Sequence, residues 1–292
     1  MSGPHHTPDL DWASMVEFAE REAEVLIPFL SVAMSLLTDL STKSGLDVRH
    51  ILDIGSGPGV GTCVLAEHFP SATVVAADGS AEMLASVAAR AARLGLADRV
   101  ETRLVDLHEG VAALERADLV WASMVLHHVG DEAAALRGIR SRLGPGGLFA
   151  LVEFGDPLRV VPDGVDLGRP GLWERLDAGR ASWLADLRAG LPGAVVSGDY
   201  PAMLQAAGFE VLADQVVRVR LAPPLDDRAK AVALGHVRRL REHVEPYVDA
   251  ADLAALDVLT SEDDPAGITR RPDALLHASR RLLVCRAAEV TP

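Results

Sequence analysis

Short apolar segments alternate with helical patterns between residues 49 and 153, and this alternation restricts the fold more than any other feature of the sequence. The segments predicted as strands are 49–54, 73–77, 100–105, 118–122 and 148–153. Strands that are separated by helices form βαβ units, in which the strands lie parallel in one sheet. The predicted fold class is therefore α/β, with a doubly wound and mostly parallel sheet.

The N-terminal part of the chain is predicted to be helical. Apolar residues recur at steps of three and four from Trp12 to Leu40, as an amphipathic helix requires. Pro28 has no N–H and its ring crowds the preceding turn, so a kink or helix junction is expected near Ile27. Core packing, a dimer interface and a lid over a ligand are all compatible with this pattern.

Two helices within the alternating region have clear ends in the sequence. One covers 80–94 and has Ser80 as its N-cap. The other covers 131–143 and is expected to stop at Gly144 and Pro145, because this pair offers a left-handed residue followed by one that cannot continue a helix.

The pattern changes after residue 154. A Pro/Gly-rich stretch leads into a helix that contains Trp173 and Trp183. The remaining predicted elements are a short helix at 203–207, a strand at 210–221, a helical segment at 222–272 and a final strand at 280–286. These last two strands are available to extend the sheet.

Composition excludes several classes of partner. The chain has 292 residues, with 42 acidic against 28 basic residues and a formal charge of -14, so it repels nucleic-acid backbones and anionic lipid on average. Cys63 and Cys285 lie far apart and predict neither a disulfide framework nor a zinc site. A cytoplasmic protein is expected, because the N-terminus lacks the order of a signal peptide and no apolar run reaches the length of a membrane span.

A glycine-rich loop follows the first predicted strand and opens a helix. Its members are Gly55, Ser56, Gly57 and Gly59. The glycines let a ligand approach the backbone where the start of a helix presents unpaired N–H groups, so an anionic group is expected there. Val60 occupies the last glycine position of the dinucleotide-binding motif G-x-G-x-x-G, so the motif is not matched. Asp53, inside the strand, suits a ligand that also has a cationic group.

The next two strands also end in acids. Asp78 lies 23 residues after Gly55, a place from which a carboxylate can accept both hydroxyls of a ribose. Asp106 and Leu107 follow the third strand and are expected to hold the exocyclic amine and one face of an adenine.

Together these segments resemble the class I S-adenosylmethionine (SAM)-dependent methyltransferases. The similar segments are 53–59, 75–83, 104–106, 118–129 and 143–149, about 110 residues in family order. The resemblance implies SAM as cofactor and a seven-stranded sheet whose last strand is antiparallel. It also implies that the loop meets the methionine part of SAM, and it assigns cofactor contacts to Asp53, Gly55, Ser56, Gly57, Gly59, Asp78, Gly79, Met83, Asp106, Leu107, Ser123 and His128.

The resemblance also suggests a division of the chain. Residues 1–42 would form an N-terminal helical cap, and 43–154 a SAM-binding core. Residues 155–292 would complete the sheet, with helical insertions at 155–200 and 222–272 that build a pocket for the acceptor.

The activity implied is transfer of a methyl group to an oxygen, nitrogen or carbon atom of a small molecule. His127 is the candidate general base, because histidine titrates near neutrality, but a structural or cofactor-contact role is favoured over that of a base. Trp173, Trp183, Phe154 and Met124 are candidates to line the acceptor pocket or to pack in the core. No metal is expected, because no acidic cluster follows the fourth strand.

Two alternatives remain at this stage. A SAM-binding protein of methyltransferase fold could act without methyl transfer, as a regulatory partner or a cyclase, because a fold does not fix chemistry. An NAD-dependent oxidoreductase is disfavoured by Val60 and Asp53. The expected partner is a small-molecule acceptor, without nucleic acid or membrane, and a homodimer through the N-terminal helices is a further alternative.

Overall fold

The computed structural model describes residues 12–107, 110–162, 167–191, 193 and 199–288, with side chains from residue 15 onward. The helices are α1 (Trp12–Val25), α2 (Ile27–Ser44), α3 (Val60–His68), α4 (Ala81–Arg93), α5 (Glu132–Arg142), α6 (Leu172–Ala189), α7 (Tyr200–Ala206), α8 (Asp227–Val244) and α9 (Ala250–Thr260). The strands are β1 (His50–Ile54), β2 (Thr73–Asp78), β3 (Val100–Leu104), β4 (Ala117–Ser123), β5 (Leu143–Phe154), β6 (Phe209–Leu221) and β7 (Leu276–Ala287).

Within these residues, seven strands form one sheet in the order β3-β2-β1-β4-β5-β7-β6. The pairs from β3 to β5 are parallel, and β7 runs antiparallel to both β5 and β6. The predicted α/β class and its single antiparallel strand are therefore confirmed. Because β1, β2, β4 and β5 run in one direction, their carboxyl ends lie along one edge of the sheet, where open α/β folds bind ligands.

Helices cover both faces of the sheet. On one face, Trp121 of β4 packs in a buried cluster with residues of α2, α3 and α4. On the other face, Phe149 of β5 packs with residues of α5 and α7. The apolar runs in the central strands follow from this double burial, because both faces of each strand must be apolar.

The predicted junction in the N-terminal helices is confirmed. α1 ends at Val25, α2 begins at Ile27, and Pro28 occupies the first turn of α2, where its missing N–H removes no helical hydrogen bond. The two helices meet at a bend of 63°. As a pair, but not singly, they have the length and apolar content of a membrane span; no single described helix does.

The expected stop of the α5 helix was wrong in detail. The helix ends at Arg142, and Gly144 and Pro145 already lie in β5. The left-handed glycine is Gly146, with a φ of 71°. β5 begins as early as Leu143 because this residue pairs with Ala117 of β4, beyond an irregularity in the pairing of the two strands. The final strand likewise begins at Leu276 rather than at residue 280, because β6 offers it a longer partner.

A third buried cluster lies between α6, α8 and α9. Its apolar side chains include Leu176, Val232, Val237 and Leu256. α8 therefore packs into a core, and the segment between β6 and β7 is an integral part of the fold. The three-part division of the chain stays a prediction.

Candidate functional site

A cavity of about 290 Å³ lies at the carboxyl edge of the sheet, between the glycine loop and the two N-terminal helices. Its lining consists of Ala19, Glu22, Ala23, Leu26, Phe29, Leu30, Asp53, Gly55, Ser56, Gly57, Pro58, Val60, Gly61, Trp121, Ser123, Met124 and Arg280. The structure thus brings together the loop, the acid before it and the end of β4. α1 and α2 form the opposite wall of the cavity.

The glycine loop has a conformation that depends on its glycines. Gly55 has a φ of 68°, and a Cβ on it would lie 2.4 Å from a methyl of Val125. Gly57 has a φ of 52°, but a Cβ there would meet no atom within 4 Å. The first glycine therefore lets the chain pack, whereas the second leaves open space beside a backbone N–H.

Asp53 is a buried acid beneath the loop. It is 2% exposed, and the Thr62 hydroxyl donates a hydrogen bond of 2.6 Å to its Oδ2. Burial, with a smaller contribution from the charge of Asp78, raises the pKa of Asp53 to about 7. A cationic group in the cavity would stabilise the charged form of this carboxyl.

The hydroxyl of Ser56 provides an independent indication of a polar ligand. Its Oγ is buried and has no hydrogen-bond partner. Buried polar atoms are nearly always satisfied, so an orphaned hydroxyl in the wall of a cavity indicates a ligand group opposite it. Backbone N–H groups, a hydroxyl and a buried carboxylate suit a zwitterion such as the methionine part of SAM.

Asp78 lies beside the loop at the end of β2. Gly57 N–H donates to its Oδ2 at 2.9 Å, and Ser80 N–H donates to its Oδ1 at 2.9 Å. These bonds fix the orientation of the carboxylate and leave lone pairs for ligand hydroxyls. Gly79 is exposed next to it, and Met83 is buried in the first turn of α4, where its N–H is capped by Ser80.

The predicted adenine end lies at the carboxyl end of β3. Asp106 is exposed and Leu107 is half-buried. Neither residue lines the cavity among the described residues. Because β3 lies next to β2, these side chains nevertheless follow Asp78 along the same edge of the sheet.

The end of β4 carries an unusual backbone. Met124 lines the cavity and has a φ of 56°, a conformation rare for residues other than glycine. Its N–H donates to the Val152 carbonyl at 2.8 Å, which holds the turn in place. Such conformations cluster at ligand sites. Ser123, which precedes it, also lines the cavity.

The two adjacent histidines have different environments. His127 is buried, and its Nδ1 lies 2.7 Å from Oε2 of the fully buried Glu153. The other carboxylate oxygen of Glu153 accepts the Leu126 N–H at 2.9 Å. His128 is exposed. Within the described part of the chain, the cavity wall contains neither histidine, so His127 does not face the ligand directly.

Sequence reasoning missed the residues that close the cavity opposite the loop. Glu22 of α1 accepts a hydrogen bond of 2.6 Å from Arg280 of β7, and His236 of α8 lies 3.3 Å from the same oxygen. Burial alone would raise the pKa of Glu22, but His236, Arg280 and Arg239 together lower it to about 2. His236 is therefore part of this charged contact. No local signal could have found this contact, because its members come from three distant segments.

The comparisons with known proteins agree with the motifs. Residues 52–149 match the methyltransferase domain family. A trans-aconitate 2-methyltransferase from Azoarcus sp. is 38% identical over 105 residues, which cover 36% of this chain and 39% of that protein. The matches span only 26% to 39% of the length of the first curated relatives.

Solved structures share the fold at low identity. A methyltransferase candidate from Bacillus halodurans C-125 has a TM-score of 0.51 at 17% identity, over 87% of this chain and 100% of that one. A candidate sarcosine dimethylglycine methyltransferase from Galdieria sulphuraria has a TM-score of 0.50 at 15% identity, over 88% and 85%. Residues 52–149 are therefore similar to the methyltransferase domain family, and the solved structures share the fold over most of the chain.

Proposed function

We propose that this protein transfers a methyl group from SAM to an oxygen, nitrogen or carbon atom of a small-molecule acceptor. The observation that carries the proposal is the cavity at the sheet edge, where the glycine loop, the buried acid Asp53 and the orphaned hydroxyl of Ser56 face one space. This donor set fits the methionine part of SAM. The domain family supports the reaction class.

The cofactor contacts follow from the order of the strands. Asp78 accepts the ribose hydroxyls, and Asp106 and Leu107 hold the adenine beyond it. The first turn of α3, which follows the glycine loop, faces the methionine carboxylate, because the start of a helix favours an anion. Asp53 faces the ammonium. Gly55, Gly59, Gly79 and Met83 shape this wall, and Ser123 and His128 lie towards the methionine end.

SAM supplies a methyl group that is already activated by a positive sulfur. When SAM is bound, the acceptor atom would form a bond to this methyl as the methyl–sulfur bond breaks, which would leave the electron pair of that bond on the sulfur. The protein's contribution is alignment and exclusion of water. α1 and α2 supply the exclusion, because Leu26, Phe29 and Leu30 form an apolar wall.

His127 is proposed as a positioning residue, and a role as general base is the alternative. The anchoring by Glu153 supports the first role, because it fixes the short turn at Leu126–His128 directly after Met124. Base catalysis would require the imidazole to reach the acceptor, which a buried ring outside the cavity wall does not do in this conformation. Glu153→Gln with a pH profile of turnover separates the roles: loss of a base shifts the profile, whereas loss of an anchor lowers turnover at every pH.

The test of the function is incubation with methyl-labelled SAM and candidate metabolites, followed by mass spectrometry. Gain of one methyl by an acceptor, together with calorimetric binding of SAM and S-adenosylhomocysteine, supports the proposal. Binding without any transfer supports the alternative of a SAM-dependent regulator or cyclase. Binding of NAD in place of SAM contradicts the assignment.

The remaining predictions about partners are proposals of the same rank. The N-terminal helices expose Ile27 and Val32, each 44% accessible, so a homodimer through these helices is a proposal that sedimentation of the protein in solution can test.

The segment 222–272 is proposed as a wall of the acceptor pocket, supported by the position of α8 against α1 and α6. Within the described residues, no group of His, Cys, Asp and Glu side chains has the arrangement of a metal site.

A further inference from the structure

Cationic side chains collect around Phe154, at the opposite end of the site from Asp78. Phe154 is the last residue of β5 and pairs with Arg280 of β7. Directly opposed residues of an antiparallel pair have their side chains on one face of the sheet, about 5 Å apart. Arg180 of α6 covers the ring of Phe154, with its Cζ 4.7 Å from the ring centroid. Arg280 also lines the cavity at the sheet edge, so the region around Phe154 adjoins that cavity.

α8 adds two more basic groups from the facing side. His243 stacks on Trp183 at 3.7 Å, and Trp183 lies one helical turn after Arg180. Arg239, one turn before His243, lies over the ring of Phe18 at 3.3 Å. We call Arg180, Arg239, Arg280 and His243 the cationic cluster. Arg239 and His243 share one face of α8 because they are four residues apart, and Arg180 lies close enough for its charge to act on His243.

The cluster has too few carboxylates to balance it. Glu22 pairs with Arg280, whereas Asp177, on the same helix as Arg180, is engaged by Arg159 at 2.5 Å. Among the described residues, Arg180 and Arg239 contact aromatic rings and have no ion pair or hydrogen bond. Three guanidinium groups therefore share one hydrogen-bonded carboxylate, Glu22, while Glu242 and Asp177 act on Arg239 and Arg180 only through their charge.

The electrostatics of the cluster agree with this excess. Burial, and then the charge of Arg280, lowers the pKa of Arg180, with Asp177 opposing them. Burial, and then Arg239 and Arg180, lowers the pKa of His243. A guanidinium remains charged at neutral pH even so, and a partly desolvated charge without a counter-ion is costly. An anion between these groups would remove that cost.

The geometry points to an acceptor that carries a carboxylate or phosphate, held by Arg180 and Arg280, with its nucleophilic atom directed towards Met124. This inference rests on the proposed function, since the cluster adjoins the end of the site where the methyl group would lie. The order along the sheet edge supports it: Asp78 ends β2, the glycine loop follows β1, Met124 follows β4 and Phe154 ends β5. An anion at Phe154 thus leaves the rest of the acceptor beside the reactive end of the cofactor.

Calorimetry on the full chain saturated with S-adenosylhomocysteine tests the anion directly. The probes are glutarate, glycerol 2-phosphate and the neutral glutaramide, so the arms distinguish carboxylate from phosphate and both from an uncharged ligand. We expect at least one anion to bind at least tenfold more tightly than glutaramide. Arg180→Gln should abolish that preference, and Arg180→Lys should retain part of it, because lysine keeps the charge but loses the fork of donors.

The matched control is Arg238→Gln. Arg238 lies next to Arg239 on α8, but it is half-exposed and pairs with Glu262 outside the cluster. This variant should keep the preference for the anion. Equal binding of anions and glutaramide by the wild type, absence of anion binding, or equal losses in the two glutamine variants overturns the inference. Unchanged S-adenosylhomocysteine binding and a cooperative thermal transition verify that Arg180→Gln is folded.

A second experiment separates this inference from the proposed function. A small-molecule extract of the producing cells is divided on an anion exchanger, and each fraction is incubated with the protein and labelled SAM. Methylation of an acceptor in the retained fraction supports both proposals. Methylation only in the unretained fraction overturns the anionic acceptor and leaves the function intact. If no fraction is methylated, the proposed function has failed, and the calorimetric comparison still decides whether the cluster binds anions.

Discussion

The two ends of the site are built in different ways. At the cofactor end, Asp53 bonds Thr62, 9 residues away, and Asp78 bonds Gly57 of the glycine loop, 21 residues away. At the acceptor end, Glu22 and Arg280 come from segments 258 residues apart, and α6 and α8 add further side chains. A local sequence motif forms the cofactor end, whereas the proposed acceptor end depends on contacts that only the folded chain creates.

The largest expected effect is a loss of stability caused by a substitution in the glycine loop, at the cofactor end. Gly55→Ala places a methyl against Val125 at a positive φ, so we expect a loss of about 2 to 6 kcal/mol in the free energy of unfolding, from strain and overpacking together. Gly57→Ala is the matched control, because Gly57 also has a positive φ but a Cβ there would meet only open space. It should lose about 1 kcal/mol and weaken SAM binding. Equal chemical denaturation curves for the two variants would contradict this reading of the loop.

The next largest effect is a loss of SAM affinity when the carboxylate proposed to bind the ribose is removed. Asp78→Ala removes a charged acceptor of two hydrogen bonds, each worth about 1.5 to 3 kcal/mol, so SAM affinity should fall tenfold or more. The control Asp98→Ala removes an exposed acid at the opposite edge and should leave affinity unchanged. Calorimetry measures both. Wild-type affinity in folded Asp78→Ala protein would refute the ribose assignment.

At the acceptor end, Glu22→Gln should lower stability at pH 7 by about 1.5 to 3 kcal/mol, because a charged hydrogen bond to Arg280 is lost. The pKa of Glu22 is lowered in the folded protein, so its contribution is fully present above the unfolded value of 4.5 and disappears as pH falls towards about 2. The gap between wild type and variant should therefore narrow in denaturation experiments below pH 4.5. A gap that is constant with pH would show that the carboxylate charge is not responsible.

A smaller effect concerns the buried acid of the cofactor end. The pKa of Asp53 is raised to about 7 in the free protein, and a ligand ammonium favours its charged form, so SAM affinity should decrease as pH falls through 7. The expected decrease between pH 7.5 and pH 6 is roughly tenfold, since binding then requires release of a proton.

Asp53→Asn provides the control for that titration. The variant should bind SAM weakly at both pH values and lose the pH dependence. It should also be more stable than wild type without ligand above pH 7, because the raised folded pKa means that ionising Asp53 destabilises the native state as pH rises. Stability and affinity changing in the same direction would refute the role of Asp53 towards a cation.

The last prediction is that removal of divalent metal ions has no effect on methyl transfer. EDTA should leave methyl transfer unchanged, because the transfer is proposed to need only alignment of acceptor and cofactor. Recovery of a lost activity on addition of magnesium would show that a metal takes part.

The predictable part of the structure is the part with local causes. The βα alternation, the Ser80 cap and the junction at Pro28 follow from propensity and periodicity over a few residues. The placement of Asp53, Gly55 and Asp78 also follows, since parallel strands bring their carboxyl ends to one edge.

The rest depends on tertiary contacts that no short window contains. His127 had the residue type of a base, but burial against Glu153 removes it from the cavity wall. His243 of α8 stacks on Trp183 of α6, a contact that no short window around either residue indicates. The start of β5 was misplaced because cross-strand pairing outweighed the helix-stop signal of Gly144 and Pro145.

The position of β7 in the sheet has a consequence for synthesis. β7 is the last of the described strands in the chain, but it lies between β5 and β6, and β6 pairs with no other strand in the described sheet. During translation, β6 must wait unpaired until the final strand leaves the ribosome, and Arg280 arrives with it. A nascent chain can therefore assemble the cofactor loop early, while the acceptor end forms only after translation has passed β7.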